Sequence, residues 1–83
     1  MKTPEEILKI LDTKAAEHDK IVRQLASDIQ VLREKLAEMI QNKAAKDALV
    51  TQSQAMMVLK DKLVFHKACL LQIRDIEADI KNV

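Results

Sequence analysis

The sequence predicts an all-α protein: a long antiparallel helical hairpin of coiled-coil type that dimerises into a four-helix bundle. Three observations carry that reading. The 83 residues include no glycine, one proline and 33% charged side chains, the composition of long heptad-packed helices. Between Leu8 and Met39 the apolar residues hold one heptad phase over five repeats, a specific signal for helix-on-helix packing. Residues 55–73, AMMVLKDKLVFHKACLLQI, are apolar around most of a helix's girth. A helix of that kind must be covered from several sides. Nothing alternates with period two over a useful length, so no strand is expected.

The chain is expected to form a single hairpin domain over residues 1–83. Helix one spans about residues 4–41, a turn occupies about 42–47, and helix two spans about 48–81. Thr3-Pro4-Glu5-Glu6 is a helix start. Thr3 caps free backbone N–H groups, Pro4 gives up an N–H that has no helical partner, and the two glutamates suit the positive helix end. Leu8, Ala15, Val22, Ile29 and Leu36 then take heptad position a, and Leu11, His18, Leu25, Leu32 and Met39 take d. Ile7 and Ile21 at g, with Ala26 and Ile40 at e, widen the seam beyond a two-stranded zipper and favour a bundle of three or four helices. Lys9, Glu17, Lys20, Arg23, Glu34 and Glu38 line the opposite, solvated side.

The pattern fails at Gln41-Asn42-Lys43-Ala44-Ala45-Lys46, where the phase would place Lys43 at a and Lys46 at d. Asn42 is the expected left-handed, helix-ending residue in a chain without glycine. Lys-Ala-Ala-Lys favours helix, so one uninterrupted helix is the competing arrangement. A second turn near Thr51, with Gln54 completing a capping box, is another. The phase restarts with Leu49, Met56, Leu63 and Leu70 at a and Leu59, His66 and Ile73 at d. Glu77 interrupts position a, and the spacing of Ile73, Ile76, Ile80 and Val83 predicts a local change of helix winding.

Composition and charge narrow the function. A formal charge of +1 implies neither nucleic acid nor membrane as a partner by itself. No apolar run reaches the roughly 18 residues that cross a bilayer. One cysteine rules out an internal disulfide framework and fits a reducing compartment. The start of the chain shows capping rather than a basic patch followed by an apolar core. A cytoplasmic protein is the expectation.

Glycine-rich phosphate loops, nucleophile–base triads and paired buried carboxylates are missing from the sequence. The expected role is therefore non-catalytic and without a cofactor: an assembly factor, chaperone, adaptor or small inhibitor. Met56, Met57, Val64, Phe65 and Leu71 are the expected partner-binding residues, because methionine adapts to varied shapes and the patch exceeds what one helix covers. The partner is a second copy of the chain or another helical protein.

Two weaker readings stand beside this one. Lys46, Lys60, Lys67, Arg74 and Lys81 fall on one seven-residue line that could follow a phosphate backbone. Asp61 and Asp75 dilute the line, and no aromatics interleave for base stacking. In a hairpin turning near residue 44, facing residue numbers sum to about 88. His18, His66 and Cys69 then come within about one turn of each other. They are zinc-ligand types, with Asp19 or Glu17 as a fourth, but their spacing is no known metal motif. A polar layer that pins the register is the commoner meaning of such residues at d. Protonating both histidines would push the arms apart.

Overall fold

In a computed structural model describing residues 2–82, the chain is an all-α hairpin of two long helices. α1 is Pro4–Gln41 and α2 is Lys46–Lys81. Among the described residues there is no strand. Thr3 caps α1, its Oγ1 accepting from the Glu6 backbone N–H at 3.2 Å, with Pro4 in the first helical turn.

The reversal takes four residues. Asn42 has φ −85°, and the left-handed position falls one residue later than expected, on Lys43 with φ 53°. Backbone hydrogen bonding explains the shift. The Ala44 N–H donates to the Met39 carbonyl and the Lys43 N–H to the Ile40 carbonyl, the bond pair of a Schellman ending, which puts its left-handed residue at position 43. A left-handed conformation in a non-glycine residue costs about 1–2 kcal/mol. Ala45 then enters α2 as an N-cap without a side-chain hydrogen bond. No second turn forms at Thr51. Its Oγ1 bonds back to the Asp47 carbonyl inside α2, as hydroxyls do mid-helix.

The heptad seam is where the helices meet. From Leu8 to Met39 and from Leu49 to Ile80, every a and d residue is buried or half-buried. Only Asp19, Asp28, Ala44 and Cys69 join them among the described residues. The phase runs through Glu77, itself buried at 3% exposure while Ile76 is exposed. The change of winding expected near Glu77 therefore does not occur. Arg74 holds the Glu77 carboxylate at 3.3 Å, which lets a charged residue sit at a. Val83, the last residue of that expected shift, lies outside the described residues.

The molecule is thin, at 60 × 19 × 14 Å. Its radius of gyration is 18.6 Å, against about 12 Å for a compact chain of this length. Its accessible surface is 6541 Å², whereas a compact monomer of this mass exposes about 5,000 Å². Only Ala15, Leu25, Ile29 and Met56 make up the buried apolar core among the described residues. Among the described residues, no helix is long and apolar enough to cross a membrane.

Candidate interaction surface

The seam fixes which residues remain outside. With a and d turned inward, helix geometry puts e on one flank of the hairpin, g on the other, and b, c and f on the far side. On α2, columns b and c carry Val50, Met57, Val58, Val64, Phe65 and Leu71, all exposed. Met57, Val64, Phe65 and Leu71 range from 61% to 67% exposure. Met56, by contrast, is 7% exposed. It occupies position a and is covered by the hairpin itself, so it drops out of the expected partner-binding set. The remaining four extend about 21 Å along the helix at 1.5 Å per residue.

Three polar layers interrupt the seam. Near the turn, Gln52 at d donates from Nε2 to the Leu32 backbone carbonyl at 3.2 Å. In the middle, His18 Nδ1 lies 2.9 Å from His66 Nδ1, with ring centroids 5.1 Å apart. One ring must donate and the other accept, so the contact holds with a single proton between the two nitrogens. Toward the open end, Arg74 reaches Glu77 on its own helix and, at 3.7 Å, Asp12 on the other. The Glu77 carboxyl is raised above its ordinary value by hydrogen bonding to Asp12, then by burial and by the Asp12 charge, with Arg74 and Lys81 opposing.

Facing residue numbers sum to 84 at the histidines and 86 at Asp12 and Arg74, slightly below the expected value. The histidines consequently meet one another directly. Cys69 is half-buried at g, while Glu17 and Asp19 are engaged by Lys14 at 3.6 Å and Arg23 at 3.1 Å. Among the described residues, no group of three or more His, Cys, Asp or Glu stands close enough to hold a metal ion.

The basic line on α2 occupies column e and faces column e of α1. The register places Arg74 against Asp12, Lys67 level with Asp19, and Lys81 level with Glu5. Lys60 and Lys46 face Ala26 and Ile40. Three of the five basic residues thus stand level with acids of the same chain, which weakens the line's pull on a phosphate backbone. Column e of α1 was the signal that pairs the line, and Asp12 and Gln52 were the seam partners that sequence reasoning missed. Finding them requires the register, because neither the acids nor the glutamine stand out along the chain.

A hollow of about 350 Å³ lies along α1, lined by Ala16, Asp19, Lys20, Arg23 and Gln24. One helix supplies all of its walls. No protein-family model matches the chain, and no curated protein or solved structure matches it either.

Proposed function

We propose that this hairpin is a non-catalytic protein–protein interaction module that dimerises into a four-helix bundle and docks a further helical protein on the outer face of α2. Assembly factors, chaperones, adaptors and small inhibitors work this way. The observation that supports it is the exposure of Met57, Val64, Phe65 and Leu71 on a helix whose seam is already occupied. Isolated exposed apolar residues need no explanation, but a contiguous band of them marks a contact surface. Column e, next to the b residues, is largely matched by acids of α1, so the apolar band sets the partner's chemistry: the apolar face of an amphipathic helix.

Replacing Val64 and Leu71 together by Asp tests the proposal. Both residues lie outside the seam, so helicity and melting should change little, by about 0.5 kcal/mol or less per site. Partner association should be lost. The decisive measurement is capture of binding partners from the native lysate by wild type and variant, followed by titration of any captured protein. Equal binding by both forms would overturn the proposal.

A further inference from the structure

The hairpin has two unlike flanks. The e flank is charged and closed by Asp12–Arg74. The g flank, with the c columns beside it, exposes Ile7, Ile10, Ile21 and Val31 from α1 and Val58, Phe65 and Ile76 from α2. We infer that a second copy of this chain seats on the g flank, α1 antiparallel to α1 of the other copy about a two-fold axis level with Ala26. This deepens the proposed function and rests on it.

Charge complementarity selects both the occupant and the register. On α1, columns g and c read Lys14, Glu17, Ile21, Gln24, Asp28, Val31, Lys35 and Glu38. In an antiparallel pair, g residues of one copy meet c residues of the other. With the axis at Ala26, Lys14 meets Glu38, Lys35 meets Glu17, Ile21 meets Val31, and Asp28 meets Gln24, each pair occurring twice. Asp28 already accepts from Gln24 of its own helix at 2.9 Å, so the central layer forms a closed polar group. Sliding by one heptad one way sets Asp28 against Glu17, a like-charge pair that is destabilising at such sites. Sliding the other way sets Asp28 on Val31 and leaves Lys35 without a carboxylate.

α2 accommodates that axis. The hairpin register puts Ala26 level with Val58 to Lys60 of α2. An axis at Lys60 brings Phe65 of one copy over Ala55 of the other, a large side chain against a small one. The surface available is sufficient. The hairpin exposes about 1,500 Å² more than a compact monomer of its mass, and a standard interface takes about 800 Å² per partner. Phe65 passes from the docking band to this contact, while column b of α2, with Met57, Val64 and Leu71, stays outside it and is left for the further partner. The dimer and the further partner then use different sides of the same helix.

The experiment uses the full chain with Cys69→Ser as background. Ile21→Cys combined with Val31→Cys should oxidise to a covalent dimer at micromolar concentration. The two sites are about 15 Å apart on one helix, beyond the reach of an internal disulfide, so every bridge joins two chains. Ile10→Cys with Val31→Cys, out of register, should cross-link at least tenfold more slowly. Lys14→Glu alone should weaken dimerisation at least tenfold in sedimentation equilibrium, and adding Glu38→Lys should restore it, with circular dichroism confirming helicity throughout. Equal cross-linking by both cysteine pairs, or charge reversals without effect on a dimer, would overturn this seat and leave the outer-face docking intact. A folded monomer at high micromolar concentration would overturn the dimer altogether. Loss of partner capture in Val64→Asp/Leu71→Asp with dimerisation unchanged would support both.

Discussion

The two helices share one seam and differ in what they carry behind it. Behind the seam of α1, columns b and f carry Lys9, Lys20, Arg23 and Glu34, all exposed, and column c adds only two large apolar residues, Ile10 and Val31. Behind the seam of α2 stand Val50, Met57, Val64 and Leu71 in column b, with Val58 and Phe65 in column c. Packing one helix against another requires only a and d. α1 therefore shows what the hairpin needs in order to fold, and the surplus on α2 shows what folding leaves unused. Surplus apolar surface on a thin molecule carries a solubility cost, which a contact with another protein would offset.

The largest expected effect tests that division directly. Leu25→Ala removes a side chain buried in the seam and should destabilise the hairpin by about 2–3 kcal/mol. Leu71→Ala removes the same atoms from a residue that is 66% exposed and should cost at most about 0.5 kcal/mol. Urea denaturation followed by circular dichroism compares them. Similar losses for the two would mean that the outer face of α2 belongs to the folded core of an assembly, and the comparison between helices would fail.

A smaller effect is expected at the histidine layer. Replacing either His18 or His66 by Leu leaves the other imidazole without its partner in the seam. Replacing both should recover part of the loss, because an unpaired polar group costs more than an apolar pair. A double-mutant cycle should give a coupling of about 1 kcal/mol. Additive single effects would show that the 2.9 Å contact contributes no specific energy.

The smallest shift is expected at Glu77. Its folded-state pKa lies above the ordinary value of 4.5, chiefly through the hydrogen bond to Asp12. Between 4.5 and that raised value, the folded chain holds a proton that the unfolded chain has released. The contribution to stability therefore falls as pH rises through this window, and it is intact below it. Glu77→Gln carries no titrating proton. It should be more stable than wild type at neutral pH, with the difference shrinking as pH falls toward 4.5. Parallel melting curves for the two from pH 4 to pH 7 would show that the Glu77 carboxyl is not raised in the folded chain.

Much of the hairpin is legible in the chain because its causes are local. The Thr3-Pro4-Glu5-Glu6 cap, the heptad phase and its failure after residue 40 are short-range patterns, and backbone geometry converts each into a helix, a face or an end. The apolar columns of α2 are legible for the same reason, but the side on which Met56 lies is not, and it turns into the seam. That residue sits one position from Met57, and a rotation of about 100° separates the seam from the outside. Lys43 replaces Asn42 at the left-handed position because the backbone bonds of the turn, rather than side-chain preference, select the residue.

By itself, the sequence determined an all-helical chain, two long arms and the seam that joins them. Only the tertiary structure decided who faces whom. A difference of two to four in the facing sum put His18 on His66, Gln52 on the Leu32 carbonyl and Arg74 between Asp12 and Glu77. Every heptad register buries the same kind of apolar residue, so apolar packing alone separates the registers weakly. Polar groups in the seam discriminate sharply, because each needs a particular partner, and those partners come together only when both helices are in place.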